Sequence, residues 1–311
     1  MARTNKNKKR PARKRTTRKQ EAILDVFTEA DIERWTDNIV CATQCANAVH
    51  FDLERQRVNN RADLLAALRS VEPSIIDIDN WIRVVDWQWS LQPLSMIGST
   101  RGVGGRFNYG IDLSVVRRQE FPCLYLGSNK TTAYCERFGG MLDEVLSGLT
   151  RQEYALRNTG VSFTTFDVSG RVFQAFDLRD DRNLKRFADV IASFGWNDST
   201  KKLHTKLGYT LPSLIRSVSQ LRRRILAPPE VWRQSGNVFG IPAPSQIFGW
   251  FLREAGFEAV IYPSQRGGDE CIAIIAENLK GSESFLEVNG EAPEGASHRR
   301  LDRNQLLLPP R

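Results

Sequence analysis

The chain has 311 residues, 41% of them hydrophobic, enough to bury one large core or a main core with a smaller helical satellite. No run approaches the roughly eighteen uninterrupted apolar residues that span a bilayer, and the basic start is not followed by the apolar stretch of a secretion signal. Ten of the 44 basic residues lie within residues 1–19 beside no acid, which leaves 34 against 36 acidic residues, so the formal charge of +8 gives no reason to read the body as a nucleic-acid binder.

Residues 1–20, basic and almost without apolar side chains, cannot offset the entropy of ordering and are expected to be a disordered tail. Such a tail serves either as a solubilising arm or as a phosphate-backbone contact to nucleic acid. From Glu21 to about residue 75 the pattern is helical. Ile23, Leu24, Phe27 and Ala30 recur at helical steps, Cys41, Cys45, Ala48 and Val49 continue a weaker stripe, and Leu64, Leu65 and Leu68 follow a start at Asn60. Pro73 ends that module.

Beyond it, strands are expected at Trp81 to Asp86, Cys123 to Gly127, Val161 to Val168, Val172 to Leu178, Ala259 to Tyr262 and Cys271 to Ala276. Helices are expected at Lys130 to Leu149, Asn183 to Phe194, Leu211 to Leu226 and Ser245 to Ala255. Strands and helices mixed without regular βαβ alternation predict an α+β domain. Residues 286–311 read as a loose C-terminal extension. Five scattered cysteines suit a reducing cytoplasm without structural disulfides.

Several chemistries drop out. His50, His204 and His298 stand in no zinc-protease or deaminase spacing, and Cys41, Cys45 and His50 lack a fourth ligand nearby, so no metal is expected. Gly102, Gly104 and Gly105 form a glycine-rich turn with no Lys-Ser or Lys-Thr behind it, which is not a nucleotide P-loop.

What remains is a set of short elements: Trp81-Ile82-Arg83-Val84, Gly104-Gly105-Arg106-Phe107-Asn108, Leu124-Tyr125-Leu126 with Thr132-Ala133-Tyr134-Cys135-Glu136, and Val260-Ile261-Tyr262-Pro263-Ser264. Together they resemble the RES domain family. The resemblance covers most of the chain beyond residue 80. It implies an ADP-ribosyltransferase-like mixed-sheet domain over residues 76–285, preceded by the helical module at 21–75. It also implies NAD as substrate without a metal, the chemistry of a toxin or bacterial defence effector, an Xre-like antitoxin or other regulatory partner, and association of like chains.

On this reading Arg83 and Arg106 hold the pyrophosphate, since a guanidinium fork matches phosphate better than an ammonium does. Glu136 stabilises the positive ribose that develops as the nicotinamide bond breaks. Tyr125 stacks on the nicotinamide or hydrogen-bonds to it. The family serine falls on Ser245 or Ser264. Val84 stands where some members have an aromatic residue, so ring contacts to the ligand are not expected there. The plainer alternatives pair Arg83 with Asp86 or Asp79, and Glu136 with Lys130 or Arg137. The expected reaction is NAD cleavage by water or phosphate. Transfer of ADP-ribose to a protein or nucleic acid is the alternative, and a non-catalytic nucleic-acid-binding or adaptor protein is the second.

The charge asymmetry generates a first prediction. Deleting residues 1–19 is expected to leave the melting temperature unchanged while removing salt-sensitive binding to RNA or DNA, as read by fluorescence anisotropy across a salt series. An unchanged salt slope in the truncated protein would place the binding elsewhere.

Overall fold

The computed structural model describes residues 29–113, 119–138, 162–290 and 293–304. The basic tail and the second half of the helix expected over Lys130 to Leu149 lie outside them. The chain divides into two compact units, Met1–Gln44 and Cys45–Arg311. The described part of the first begins α1 (Glu29–Asn59), with Glu29 and Asp31 in the first turn, where negative charge favours the helix start. Ile32, Trp35 and Ile39 on this segment are exposed.

In the second unit the later turns of α1 are tied to the main body by hydrogen bonds. The buried Asp52 accepts from the Asn197 amide at 2.9 Å, and the Gln56 side chain both donates to and accepts from the Gly195 backbone at 2.8 Å. α2 (Arg61–Arg69) buries Leu64, Leu65 and Leu68 in the same core as the later helices. The helical stretch expected to stand apart up to residue 75 is therefore divided: α2 belongs to the main core, and the boundary between units falls at residue 44.

Seven strands form one sheet: β1 (Ser74–Asp86), β2 (Cys123–Gly127), β3 (Phe163–Asp177), β4 (Ala259–Pro263), β5 (Glu270–Ile275), β6 (Phe285–Val288) and β7 (Arg300–Leu301). Their order is β1-β2-β5-β4-β3-β6-β7, and β1 also pairs with β3, so the first five close into a ring. Among the described strands only β3 and β4 run parallel. The two strands expected at Val161 to Val168 and Val172 to Leu178 are one, because Ser169 and Gly170 between them stay in register opposite Glu287 and Leu286 of β6. β6 and β7 also bring Phe285–Val288 and Arg300–Leu301 into the sheet, where a loose extension was expected.

Alternation along the strands separates two cores. On β5, Cys271, Ala273 and Ile275 face the helices, while Ile272 and Ile274 join side chains from all seven strands in a second core. β1 breaks the alternation once. Ile78 pairs with Gly170 but Trp81 pairs with Val168, so β1 carries one extra residue, a bulge at Asn80 with φ of 53°. Before the bulge even-numbered residues (Ile76, Ile78) face the second core; after it odd-numbered ones do (Trp81, Val85).

The other helices are α3 (Lys130–Phe138), α4 (Asp181–Ala192), α5 (Asp198–Leu207), α6 (Val218–Ile225), α7 (Pro229–Phe239) and α8 (Pro244–Ala255). Of the helix expected over Leu211 to Leu226, only α6 forms, started by the Ser217 hydroxyl accepting from the Gln220 amide at 3.3 Å. α8 is the most deeply buried helix face. Phe248 meets Phe176 and Phe187 edge-on at 5.5 and 5.4 Å, and Gly249 lies against the backbone of Phe107. None of the five cysteines, all of them described, is in a disulfide, and among the described residues no helix is long and apolar enough to cross a membrane.

A Cβ at residue 249 would sit 2.0 Å from the Phe107 carbonyl oxygen. Gly249→Ala is expected to lower unfolding free energy by about 1–3 kcal/mol in urea titrations. A variant as stable as the parent would mean that α8 does not set the position of residue 107.

Candidate active site

The site is built around the loop from Gly102 to Gly110. Gly104 has φ of 89°, and a Cβ there would lie 2.4 Å from the Gly110 amide nitrogen, so the loop closes only with glycine at that point. Its open carbonyls are collected by the side-chain amide of Gln246 on α8, which is 1% exposed. Nε2 donates to Val103 O at 2.7 Å, Gly105 O at 3.0 Å and Asn108 O at 3.2 Å, while Oε1 accepts from the Ala243 amide at 3.0 Å. The buried Asn108 ties the loop from inside: its Oδ1 accepts from the Gly105 amide at 3.1 Å and the Tyr125 hydroxyl at 2.8 Å, and its Nδ2 donates to Ser99 O at 2.7 Å. The Tyr125 hydroxyl in turn accepts from the Phe107 amide at 2.9 Å.

This loop forms one wall of a cleft of about 260 Å³, lined among others by Arg106, Tyr125, Glu136, Trp232, Arg233 and Tyr262. Arg106 is 4% exposed. Its Nη1 donates to Ala227 O at 2.8 Å, its guanidinium stands 5.8 Å from the Trp232 ring centroid, and Nη2 has no hydrogen-bond partner among the described residues. The Trp232 indole nitrogen is likewise buried without a partner. Two buried donors at a cleft are a standing invitation to an acceptor-rich ligand.

Glu136 enters from α3. The helix starts where Asn129 Oδ1 accepts from the Thr132 amide at 2.8 Å, and it packs so closely on the end of β2 that a Cβ at Gly127 would meet Ala133 N at 2.7 Å. Glu136 Oε1 accepts from the Ser264 hydroxyl at 2.7 Å and the Gln265 amide at 3.1 Å. Ser264 Oγ also accepts from the amides of Gly267 at 2.8 Å and Arg266 at 3.1 Å, so one hydroxyl both shapes the turn after β4 and orients the carboxylate.

Around this single carboxylate the positive charge is dense. Arg233 is held below the usual guanidinium range, first by burial and then by the nearby charges of Arg266, Arg106 and Arg137, with Glu136 acting in the opposite sense. Arg137 pairs with Asp86, and Arg266 pairs with Glu230 while its Nε and Nη1 lack partners among the described residues. Burial also pushes the Tyr125 and Tyr262 hydroxyls well above their ordinary values, so both stay protonated.

Of the residues singled out in the sequence, Arg106, Tyr125, Glu136 and Ser264 converge here. Arg83 does not. The bulge at Asn80 turns it to the side of Trp81 and Val85, while Ile82 and Val84 face the cleft. Its Nη2 donates to Ser95 O, and burial pushes its pKa down to about 9. It pairs with neither Asp86 nor Asp79, and Asp86 takes Arg137 instead.

Ser245 also stays out. α8 is capped at Ala243, which puts Ser245 inside the first turn, wholly buried and with Oγ unpartnered among the described residues. Tyr125 lends the cleft its ring, but its hydroxyl is committed to Asn108 and Phe107. Glu136 takes Ser264 rather than Lys130, which lies over the Tyr134 ring at 5.6 Å, or Arg137.

The sequence reading missed Trp232, Arg233 and Gln246. Pro228-Pro229 ahead of Glu230 was a legible helix start for α7, since proline suits the first helical position. Nothing local marked Gln246 as the brace of the loop, since the three carbonyls it binds lie more than a hundred residues away. Among the described residues no three His, Cys, Asp or Glu side chains are grouped to hold a metal ion.

No curated protein sequence matches the chain. A solved chain from the M. tuberculosis MbcT-MbcA toxin-antitoxin complex is similar over 73% of this chain and 90% of its own, at 12% identity and a TM-score of 0.42. The RES domain model matches residues 80–293, more than half of the sequence, and takes in the glycine loop, Tyr125, Glu136, Trp232, Gln246 and Ser264. The chain belongs to the RES domain family.

Proposed function

We propose that the cleft binds NAD and breaks its nicotinamide-ribose bond. The observation that carries this reading is one carboxylate, Glu136, oriented by Ser264 and the Gln265 amide and facing a cleft otherwise rich in guanidinium groups. A diphosphate suits Arg106 Nη2 and Arg233, because both are cationic fork donors at a partly dehydrated surface. A volume of about 260 Å³ is below the roughly 300–1,000 Å³ that encloses a whole drug-sized ligand, so the nicotinamide ribose and diphosphate lie inside and the adenosine beyond the rim.

In the reaction the glycosidic bond breaks and its electron pair leaves with nicotinamide, which becomes neutral as it departs. The ribose is left with oxocarbenium character, and Glu136 stabilises that charge as it develops. Ser264 and the Gln265 amide keep the carboxylate oriented while it forms. Tyr125 and Tyr262, held neutral, line the cleft with aromatic surface suited to a planar ring. Water or phosphate then adds to the sugar. Ranking these against a protein or nucleic-acid acceptor turns on the acceptor, since the bond broken is the same. Family membership supports a toxin-type effector held off by a partner protein.

Nicotinamide release against NAD concentration tests the assignment. Glu136→Gln is expected to lower kcat on the order of a hundredfold with little change in KM, since the charge it opposes exists mainly in the transition state. Arg106→Ala is expected to raise KM as well, because its phosphate contact is already made in the ground state. Arg83→Met, lying on the other side of β1, is expected to keep KM within about threefold of the parent. Folded Glu136→Gln protein with parental kcat would remove Glu136 from the chemistry. Release that requires an added protein or nucleic acid would favour ADP-ribose transfer.

A further inference from the structure

α7 brings to the cleft a residue that none of the short sequence elements contains. Trp232 is 4% exposed and lines the cleft, and it keeps two cations close: the guanidinium of Arg106 stands 5.8 Å from its ring centroid and that of Arg233 stands 5.2 Å away. The helix that carries it rests directly on the glycine loop. A Cβ at Gly236, one turn further on, would meet the Val103 side chain at 2.9 Å.

The ring and the N–H of this indole answer to different needs. An aromatic face is enough to attract a guanidinium, and phenylalanine would supply one. The indole N–H is a donor only, it does not titrate, and when buried it ordinarily finds an acceptor. Here it has none among the described residues. The nearest catalytic carboxylate does not serve it, since Glu136 Oε1 accepts from Ser264 and from the Gln265 amide. Arg106 Nη2 is in the same condition. Two unmet donors, one neutral and one cationic, therefore belong to neighbouring side chains at one wall of the cleft, and unmet buried donors are rare enough to call for an explanation.

We propose that the Trp232 indole N–H is a ligand-binding donor which, together with Arg106 Nη2, holds one phosphate of a dinucleotide's diphosphate. The proposal rests on the NAD reading of the cleft and adds to it a contact that carries no charge. A phosphate presents several oxygens, so it can accept from both donors at once. The guanidinium beside the indole favours that anion over the neutral carboxamide of nicotinamide.

The test compares the parent with Trp232→Phe, which keeps an aromatic face for the two guanidinium groups and removes the N–H. NAD turnover is measured beside calorimetric titration with ADP-ribose and with inorganic pyrophosphate. Trp232→Phe is expected to raise KM for NAD, and Kd for both ligands, by about tenfold or more, the usual scale for a hydrogen bond to a charged group. Its kcat is expected to stay within about threefold of the parent, as for a contact already made in the ground state. Combined with Arg106→Ala, the loss of ADP-ribose affinity is expected to be smaller than the product of the two single losses, because both donors act on one phosphate. Should Trp232→Phe not keep the parental circular dichroism spectrum, Trp232→Met carries the same comparison. Parental KM and ADP-ribose affinity in the folded variant, a fall in kcat at unchanged KM, single losses that multiply in full, or a parent that binds neither ADP-ribose nor pyrophosphate would each overturn the proposal. The titrations need no NAD cleavage. A parent that binds ADP-ribose through Trp232 without releasing nicotinamide would therefore strike the assigned reaction and leave the donor, whereas a folded Trp232→Phe that cleaves NAD with parental KM would do the reverse.

Discussion

The side-chain amide of Gln246 is the interaction on which the arrangement of the cleft depends. A loop that crosses itself at Gly104 and Gly110 leaves carbonyls pointing away from any strand or helix, and a buried carbonyl without a donor opposes folding. One amide answers three of them and fixes the loop to a helix that is itself locked against Phe107 through Gly249. Arg106 and Asn108 are carried on that loop, and through Asn108 the loop also holds the hydroxyl of Tyr125. A helix, a loop and a strand that are distant in sequence thus share one hydrogen-bonded junction.

A second junction, at Ser264, works by different means. There a hydroxyl orders a tight turn by accepting two amides and spends its one proton on Glu136. Because the loop and the turn are each braced internally, the carboxylate and the guanidinium groups come to face one another without being paired. Arg106 gives one nitrogen to a backbone carbonyl, and Glu136 takes neutral donors. That keeps a negative and several positive groups available in one space. Such an arrangement is useful to a reaction whose substrate carries both a diphosphate and a developing cation.

Much of this was legible in the sequence, and the exceptions have physical reasons. The α+β class, α4, α8 and the strands β2, β4 and β5 follow from apolar runs and helix starts, and the order of the short elements led to the family. Arg83 owed its role to the resemblance and not to a reading of which face of β1 it occupies, and its face is set by the register after the bulge at Asn80, which puts it on the side of Trp81 and Val85. β3 was expected as two strands because the pairing that carries Ser169 and Gly170 through is with β6, a long-range contact. The helix expected from Ser245 begins one residue earlier, at Pro244 after Ala243, which puts Ser245 inside the first turn. Trp232 and Arg233 sit in a segment whose helix was not recognised, so their approach to the cleft had no local sign.

The crowd of guanidinium groups around Glu136 has a consequence for how the protein experiences its solvent. Arg106, Arg137 and Arg266 oppose the charge of Arg233, and after burial that opposition adds to the lowering of its pKa. Repulsion of this kind is relieved by any small polyanion that enters, whether or not it can react. Inorganic phosphate and sulfate are therefore expected to stabilise the fold by lowering that repulsion. The composition of a buffer therefore bears on how tightly this part of the fold holds together, and the same chain is expected to melt at different temperatures in phosphate and in a buffer without polyanions.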